Sequence, residues 1–279
     1  MTIGELLRQA REILGDDKQF EGQLLLAKAL AMPRALLLAY TDQEVEKIKE
    51  KSALELLNAR ALGRPLQYLL ENANFMGLDF YVSDGVLIPR FDTEVLVQRA
   101  LAIIGEDKLT VADICTGSGA IAISLSVLAP QSQVWASDLS SKALEIAQKN
   151  NERLGGKVKF FQGNLLEPFL AEKMLEKFDL IASNPPYITT EEMYSLPQDV
   201  KNEPTMALWG GKDGLFFYRK LAKEAPLLIK PGGWILLEVG YKQAEIVGEI
   251  LAENNWQEIS FHQDYQGFER VVEAKYLKM

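Results

Sequence analysis

The sequence is poor in the residues that form disulfides and bind metals. Its 279 residues include one cysteine, Cys115, and one histidine, His262. A single cysteine excludes an intramolecular disulfide, and one cysteine with one histidine makes a His/Cys metal site a poor interpretation. Long apolar runs are also missing, since none approaches the roughly 20 residues that cross a bilayer. The first residues lack the order of a signal peptide, so we expect a cytoplasmic protein without membrane contact.

The sequence has fewer basic residues than acidic ones. There are 30 lysines and arginines against 39 aspartates and glutamates, which gives a net charge of −9. Proteins that bind nucleic acid usually present a basic face, so the charge counts weakly against direct nucleic-acid binding and leaves room for a local basic groove. The hydrophobic content of 48% is that of an ordinary globular protein with a real core.

The first part of the chain has a helical pattern. Segments such as "IGELLRQAREIL" and "SALELLNARALG" carry apolar residues at three- and four-residue intervals. Gly63 follows the last of them as a C-cap, and Pro65 comes just beyond. We therefore expect a helical domain over 1–72. The alternating segment after it, 73–88, predicts a short hairpin or linker.

A different pattern begins near residue 89, where apolar strands alternate with helical segments. Strand-like runs include "LTVADIC", "QVWASD", "KVKFFQ", "FDLIASN" and "GWILLEV". Such alternation predicts an α/β domain over 89–279, with a parallel sheet covered on both faces. The tail has two strand-like runs without a crossover helix, which predicts an antiparallel hairpin at the sheet edge. The stretch from Pro185 to Lys212 reads as a long irregular loop, which is more often functional than idle.

A glycine loop lies between the first strand of this domain and its helix. It reads Thr116-Gly117-Ser118-Gly119 and follows Asp113. Glycines there let a ligand approach the backbone at a helix N-terminus, and Asp138 at the end of the next strand can accept ribose hydroxyls. Ala122 stands where a dinucleotide fingerprint prefers a third glycine, which disfavours a dinucleotide without excluding it. A plain tight turn, with Asp138 capping the next helix, is the structural alternative.

The run Asn184-Pro185-Pro186-Tyr187 ends another strand. Together with the glycine loop and Asp138, it resembles S-adenosylmethionine-dependent methyltransferases that modify planar nitrogens. This resemblance, and not the loop, selects that cofactor over a dinucleotide. The segments "LIPRFDTEVLV", "NEPTMALWGGKDGLFFYRKL" and "GFERVV" extend it to the release factor glutamine methyltransferase family, also called PrmC or HemK, over essentially the whole chain.

The resemblance implies a fold and a function. The fold is a Rossmann-like class I methyltransferase domain with a mixed seven-stranded sheet, after a small N-terminal helical bundle that docks the release factor. The function is methyl transfer from S-adenosylmethionine to the side-chain nitrogen N5 of the glutamine in the Gly-Gly-Gln loop of peptide chain release factors. We expect a monomer without direct nucleic-acid contact.

The resemblance also assigns site residues. The catalytic set is Asn184, Pro185, Pro186 and Tyr187. The cofactor set comprises Asp113, Cys115, Thr116, Gly117, Ser118, Gly119, Asp138, Asn164, Leu165 and Asn184. No metal ligand is expected.

The catalytic set suits a substrate amide. The oxygen of Asn184 and the carbonyl of Pro185 can each accept one N–H, which aims the nitrogen lone pair at the methyl group. The prolines fix φ and keep the backbone extended, and the ring of Tyr187 can pack on the amide. A rigid turn after the strand is the structural alternative.

Other residues are assigned with less specific patterns. Asn164 stands where many methyltransferases have an aspartate at the adenine, and Leu165 is either a purine contact or an ordinary core residue. Cys115 is interpreted as a small buried thiol and not a nucleophile. A cap by Thr93 or Asp92 is an alternative to a role for their segment in the site wall. Further along, Glu203-Pro204 and Gly210-Gly211 are expected to shape the substrate channel.

Three alternative functions remain open at this stage. A relative acting on a ribosomal-protein glutamine is the nearest. N-methylation of an exocyclic amine in DNA or RNA is the second, and the charge of −9 counts against it. The third is a non-catalytic cofactor-binding or scaffold protein, against which the intact Asn184 and Tyr187 argue.

Overall fold

The computed structural model describes residues 1–278. The chain divides into two compact units. The first comprises Met1–Asn72 together with Pro197–Asn202, and the second comprises Ala73–Leu196 and the chain from Glu203 onward. The segment 73–88 therefore groups with the second unit by its contacts. Within residues 1–278 no helix combines the length and apolarity that a membrane span requires.

The first unit is helical, and its pattern is explained by caps and apolar faces. Thr2 and Glu5 form a reciprocal capping box that starts the first helix. Gly63, in a left-handed conformation, ends the long fourth helix: the N–H groups of Gly63 and Arg64 donate to the carbonyls of Arg60 and Ala59, which is a Schellman cap. The helices are α1 (Ile3–Leu14), α2 (Gln19–Leu30), α3 (Arg34–Ala39), α4 (Lys47–Ala61) and α5 (Leu66–Leu70).

A segment distant in sequence completes this unit. The short helix α11 (Gln198–Lys201) belongs to Pro197–Asn202, and Asn202 donates from its side-chain amide to the carbonyl of Gly63 at 3.0 Å. The expected irregular loop after the Asn-Pro-Pro-Tyr run therefore holds secondary structure. It also contains α10 (Glu192–Ser195) and α12 (Thr205–Leu208) in the second unit.

The second unit alternates strands and helices as expected. Its strands are β1 (Ala73–Phe75), β2 (Leu78–Phe80), β3 (Thr110–Ile114), β4 (Gln133–Asp138), β5 (Lys159–Gln162), β6 (Phe178–Ser183), β7 (Ile229–Glu238), β8 (Trp256–Gln263) and β9 (Glu269–Tyr276). Its remaining helices are α6 (Glu94–Ile104), α7 (Ala120–Leu128), α8 (Ser141–Leu154), α9 (Glu167–Ala171), α13 (Phe216–Glu224) and α14 (Ala244–Glu253).

A seven-stranded mixed sheet organises the second unit of the described chain. The order is β5-β4-β3-β6-β7-β9-β8; the first five strands are parallel, and the last two form the expected antiparallel edge hairpin. The strands β1 and β2 form a separate antiparallel hairpin. Buried apolar clusters cover both faces of the sheet, which explains the continuous apolar runs of β3 and β6.

Two boundaries differ from the sequence expectation for physical reasons. The apolar spacing of "DGLFFYRKLAKEAPLLI" predicts one helix to Ile229. The helix in the structure ends at Glu224, because Pro226 lacks the N–H that a continuing helix would use. The following strand begins earlier than expected, at Ile229, and its pairing with β6 shifts register between Phe178 and Leu180. The central helices and strands otherwise lie where the periodicity placed them.

Candidate active site

The carboxyl ends of adjacent parallel strands bring the assigned residues together. Ile114 at the end of β3 pairs with Ser137 of β4 on one side and with Ser183 of β6 on the other. The residues that follow these positions therefore emerge at the same edge of the sheet, with Asp138 and Asn184 on either side of Cys115. The chain order reverses around β3, and the crevice at such a reversal is where open α/β sheets bind ligands.

The two loop glycines are required for different reasons. Gly117 has φ +56°, and a Cβ added there would meet no atom within 4 Å, so its backbone borders open space. Gly119 has φ +82°, and its added Cβ would lie 2.5 Å from Cδ1 of Ile123 in the following helix. Gly117 thus leaves room for a ligand, while Gly119 permits the loop to pack closely on α7.

Asp138 holds the loop from the neighbouring strand. Its carboxylate accepts the N–H of Gly117 at 2.8 Å and that of Ser140 at 2.9 Å. Burial raises the pKa of this carboxyl, and these hydrogen bonds oppose the rise. Ser140, and not Asp138, caps α8: its hydroxyl accepts the N–H of Ala143. The capping alternative for Asp138 therefore does not describe the structure.

Asp113 lies beneath the loop. It is fully buried, and one carboxylate oxygen accepts the hydroxyl of Thr116 at 2.6 Å and the N–H of Ala122 at 3.1 Å. The other oxygen is buried and has no hydrogen-bond partner within residues 1–278. Burial raises the pKa of Asp113 to about 7. Asp113 ties the two ends of the glycine loop together and does not line the cleft.

A cleft of about 700 Å³, partly open to solvent, lies over these strand ends. Its walls are largely apolar, and Asp138 supplies a carboxylate. Seven of the assigned residues line it: Cys115, Gly117, Asp138, Asn164, Leu165, Asn184 and Pro186. Asp113, Thr116, Ser118, Gly119, Pro185 and Tyr187 are not part of the lining.

Two lining residues have an uncommon backbone conformation. Cys115 has φ +62° and Leu165 has φ +53°, although neither is glycine. The buried hydroxyl of Ser137 donates to the carbonyl of Leu165 at 2.8 Å and helps to hold that turn. Strained backbone of this kind concentrates at functional sites. Burial raises the pKa of the Cys115 thiol, so the thiol stays protonated and is not a nucleophile at neutral pH.

Asn164 has a local partner as well as a place in the cleft. Its side-chain amide donates to Glu167 at 2.9 Å, and Glu167 pairs with Lys220 at 3.0 Å. The oxygen of the Asn164 amide has no hydrogen bond within residues 1–278.

Asn184 stands at the end of β6 with its amide held on one side. Its Nδ2 donates to Oγ1 of Thr93 at 3.2 Å, and its Oδ1 has no hydrogen bond within residues 1–278. Thr93 makes no capping bond to α6, so the capping interpretation of Thr93 is wrong. Its backbone is already helical, and its hydroxyl is turned toward Asn184 instead.

Close backbone contacts surround Tyr187. An added Cβ on Gly210 would lie 2.7 Å from the carbonyl oxygen of Pro186, and one on Gly214 would lie 2.4 Å from that of Tyr187. Gln243 donates to the Tyr187 carbonyl at 3.1 Å. Burial raises the pKa of the Tyr187 hydroxyl, which therefore stays protonated. Gly210 packs against the motif itself, a closer role than the expected shaping of a channel.

Several charged residues lie around the Asn-Pro-Pro-Tyr motif. Glu203 is buried, accepts the N–H of Ile88 at 2.9 Å and pairs with Arg90. Arg270 pairs with Asp264 at 3.1 Å and approaches Asp92 at 3.4 Å. The segments "IPRFDTE", "NEP" and "GFER" that carried the resemblance thus meet around one site.

Glu238, at the end of β7, was not singled out by sequence. It is 1% exposed, and burial raises its pKa to about 7, while the Thr93 hydroxyl and the Arg270 guanidinium oppose the rise. No motif marks this residue; a single glutamate ending an apolar strand is the signal that could have found it. Asn150 was missed as well: it is fully buried and donates to the carbonyl of Ser118 in the glycine loop at 2.9 Å.

The fold and site define a class. A seven-stranded sheet with an antiparallel edge hairpin, a glycine loop after its first strand, an acid ending the next and Asn-Pro-Pro-Tyr after the fourth are the features of a class I S-adenosylmethionine-dependent methyltransferase. Comparison with known proteins agrees. Residues 91–208 match the family described as methyltransferase small domain, and residues 5–70 match the PrmC N-terminal domain.

Full-length relatives narrow the class to a family. The chain is 40% identical to release factor glutamine methyltransferase of Clostridium acetobutylicum, with 98% of each chain covered. It is 40% identical to the protein of that name from Geobacter sulfurreducens, with 97% of this chain and 95% of that one covered. A methyltransferase structure from Pyrococcus furiosus, 20% identical, shares the fold with a TM-score of 0.55 over 73% of this chain and 91% of its own. The chain belongs to the release factor glutamine methyltransferase family.

Proposed function

We propose that this chain transfers a methyl group from S-adenosylmethionine to N5 of the glutamine in the Gly-Gly-Gln motif of peptide chain release factors. One observation carries the proposal beyond family membership. Asn184 lines the cleft, its Nδ2 is taken by Thr93, and its Oδ1 has no hydrogen bond within residues 1–278. The acceptor end of the amide is thus left for a substrate N–H, as a glutamine side chain requires.

The cleft residues fit an adenosine-bearing cofactor. The open space beside Gly117 admits a ligand against the backbone, and the carboxylate of Asp138 retains lone pairs for ribose hydroxyls. Leu139, Ala143 and Leu165 provide apolar surface for a purine. Asn164, which also lines the cleft, would contact the edge of the base. The supporting residues Asp113, Thr116, Ser118 and Gly119 hold the loop in shape.

The motif residues position and stabilise the substrate amide. The nitrogen of a glutamine side chain is a weak nucleophile, because its lone pair is delocalised into the carbonyl. Acceptance of its two N–H groups by Asn184 and the Pro185 carbonyl would orient the lone pair and stabilise the positive charge that develops on nitrogen. Tyr187 would pack against the planar amide.

Bound S-adenosylmethionine supplies an electrophilic methyl group for direct displacement by that nitrogen. The site does not need a strong base, since the nitrogen becomes acidic once it carries the extra substituent and can then lose its proton to water. The buried hydroxyl of Tyr187 and thiol of Cys115 keep their own protons at neutral pH. Their role is therefore contact and shape, and not proton abstraction.

The proposal is tested by incubating the purified chain with methyl-labelled S-adenosylmethionine and, in separate reactions, a release factor, ribosomal proteins, DNA and RNA. We expect label in the release factor alone, mapped by mass spectrometry to the Gly-Gly-Gln glutamine. A release factor with that glutamine replaced by alanine is the matched control. Label only in ribosomal protein or nucleic acid would overturn the proposal in favour of that substrate.

We propose further that the protein works as a monomer on a protein substrate without contacting nucleic acid. The net charge of −9 opposes binding to a phosphate backbone. Light scattering during size-exclusion chromatography would reveal a dimer, and the labelled nucleic-acid reactions test the second part.

A further inference from the structure

A connecting segment forms one wall of the cleft. This cleft strap, residues 81–90, joins β2 to the short turn Phe91–Thr93 that leads into α6. Gly85, Val86 and Leu87 in the middle of the strap line the cleft. A segment of this kind is held by individual contacts and not by a ladder of strand pairs, so its position depends on the groups that fasten its ends.

The first end of the cleft strap is fastened to the glycine loop. The N–H of Tyr81 donates to Oδ1 of Asn150 at 2.7 Å, and Nδ2 of Asn150 donates to the carbonyl of Tyr81 at 2.9 Å. The same Nδ2 donates to the carbonyl of Ser118 at 2.9 Å. Asn150 is fully buried. One amide side chain therefore holds the start of the strap and the glycine loop together.

The second end is fastened by one carboxylate. Oε2 of Glu203 accepts the N–H of Ile88 at 2.9 Å, and its Oε1 accepts a hydrogen bond from the guanidinium of Arg90. The side chain of Glu203 is 2% exposed, whereas that of Arg90 is 36% exposed. Hydrogen bonds to an ionised acceptor are stronger than neutral ones, and both oxygens of this buried carboxylate have a donor.

Glu203 also stands at the start of a second wall of the cleft. It is followed by Pro204, which precedes α12, and Met206 and Ala207 of that helix line the cleft. Ile88 and Glu203 are 115 positions apart in the chain, so no local turn relates the two walls. The contacts of this one carboxylate therefore hold the strap against the segment that carries α12.

We propose that Glu203, together with Arg90, is a positioning residue for S-adenosylmethionine, because it holds two walls of the cofactor cleft at a fixed separation. This inference rests on the part of the proposed function that places the cofactor in this cleft. Without the carboxylate, the cleft strap is fastened only at its Asn150 end, and the cofactor must order the strap when it binds. That ordering lowers affinity. Glu203 acts without touching the cofactor, since it is not part of the cleft lining.

Hydrogen exchange of the cofactor-free protein, measured by mass spectrometry, tests the fastening itself. Glu203→Met keeps the length of the side chain and removes both acceptors, whereas Glu203→Gln keeps one acceptor oxygen. We expect amides of residues 81–90 to exchange about tenfold faster or more in the Met variant, because local opening costs less, with the Gln variant between Met and wild type. Unchanged exchange in Glu203→Met would overturn the inference.

Glu273 provides a matched control for the loss of a buried carboxylate. Its side chain is 7% exposed and pairs with Arg99 at 3.0 Å, and the side chain of Arg99 is 36% exposed, as is that of Arg90. Glu273 lies in β9 and does not line the cleft. Glu273→Met should therefore lower stability without changing exchange in the cleft strap.

Calorimetric titration with S-adenosylmethionine measures the consequence for the cofactor. We expect the Kd to rise by about tenfold or more in Glu203→Met and by less in Glu203→Gln, and to stay within about twofold in Glu273→Met. The KM for S-adenosylmethionine should rise in the same order, while kcat at saturating cofactor falls by less than about threefold. Normal affinity in Glu203→Met, or an equal loss in Glu273→Met, would refute the role of Glu203.

A second pair of variants serves if Glu203→Met does not fold. Arg90→Met removes one of the two fastening contacts and leaves the bond between Glu203 and Ile88. We expect its Kd for S-adenosylmethionine to rise by about threefold or more, and Arg90→Lys, which restores a cation, to recover most of the affinity. Wild-type affinity in Arg90→Met would contradict the inference.

The outcomes also distinguish this inference from the proposed function. The titration needs no methyl acceptor, so its result does not depend on whether a release factor is the substrate. If Gly117→Ala binds S-adenosylmethionine as wild type does, the placement of the cofactor in this cleft fails, and the role of Glu203 fails with it. If Gly117→Ala binds weakly while Glu203→Met binds normally, the role of Glu203 alone fails.

Discussion

Single residues at the strand ends have roles that their type alone would not reveal. Asp113 and Asp138 are both aspartates beside the same glycine loop, yet Asp113 is fully buried below it and Asp138 lines the cleft. Burial raises the pKa of Asp113 to about 7, because the ionised form loses its hydration and one of its oxygens has no partner within residues 1–278. Asp113 is therefore expected to lower the free energy of unfolding at pH values where its carboxyl ionises in the unfolded chain.

That cost gives a prediction for Asp113→Asn. In the unfolded chain the carboxyl ionises near its usual pKa of 3.8, whereas in the folded protein it stays protonated up to about 7. As the pH rises between these values the unfolded state loses its proton first, so the wild-type protein loses stability through this group. The free energy of unfolding of Asp113→Asn, relative to wild type, should rise by roughly 3–4 kcal/mol between pH 4 and pH 7.

Urea unfolding followed by tryptophan fluorescence measures this difference. All four tryptophans lie in the second unit, so the signal reports the part of the chain that contains Asp113: Trp135, Trp209, Trp234 and Trp256. The prediction concerns how the difference in the free energy of unfolding between Asp113→Asn and wild type changes with pH. An effect of the substitution that is the same at every pH therefore does not alter the result. A difference that stays flat across this pH range would show that Asp113 is already ionised in the fold.

At the scale of elements, alanine substitutions at the two glycines of the loop are expected to have different effects. Gly119→Ala adds a Cβ at 2.5 Å from Ile123 and forces a positive φ, so we expect it to destabilise the second unit by about 2–4 kcal/mol. Gly117→Ala meets no atom within 4 Å, so its cost to stability should be about 1–2 kcal/mol. Its methyl group projects where a cofactor would approach, and S-adenosylmethionine affinity should fall by about tenfold or more.

Thermal unfolding and cofactor titration distinguish the two effects. Each variant is the control for the other, because both replace a left-handed glycine of the same loop. If Gly117→Ala binds cofactor as wild type does, the cofactor lies elsewhere in the cleft. If Gly119→Ala is no less stable than Gly117→Ala, the contact with Ile123 is not the reason for that glycine.

Sequence patterns predicted the elements well where local signals mark both ends. The run "SKALEIAQKNNERL" predicts a helix, and α8 begins and ends with it, because Ser140 caps its start and Gly155, with φ +72°, ends it. The expectation failed where tertiary contacts decide. Nothing local indicates that Cys115 and Leu165 adopt a left-handed backbone, or that the segment after Tyr187 forms short helices.

The candidate site, like the helices and strands, could be predicted only in part from the sequence. Motif residues next to strand ends could be placed, because the carboxyl ends of parallel strands share one edge. Glu238 could not, since its place beside the end of β6 depends on the pairing of β6 with β7, which the sequence does not state. The motif predicts which residue holds the substrate, and that role stays a prediction.

At the scale of the whole molecule, the presence of a separate helical unit needs a reason. The cleft, the glycine loop and the Asn-Pro-Pro-Tyr motif all lie in the second unit. A helical unit that supplies none of the assigned residues is best explained by a macromolecular substrate, since a small substrate would be held by the cleft alone. We propose that this unit docks the release factor, as the family resemblance implies.

This proposal predicts a large difference between substrates. A short peptide that contains the Gly-Gly-Gln sequence can reach the cleft and cannot contact a docking surface. Binding energy from remote parts of a substrate supports orientation at the reacting atoms, so its loss lowers kcat as well as affinity. We expect kcat/KM for the peptide to be about a hundredfold or more below that for the intact release factor, with S-adenosylmethionine affinity unchanged.

Steady-state methylation of both substrates by the full chain checks this, with an isolated release factor domain carrying the loop as an intermediate substrate. The lower kcat/KM of the peptide is attributed to contacts remote from the cleft. Excess release factor whose glutamine has been replaced keeps those contacts, so it should inhibit methylation of the intact release factor far more strongly than excess peptide does. Equal kcat/KM for peptide and intact protein would mean that the second unit recognises the substrate alone, and the helical unit would then need another explanation.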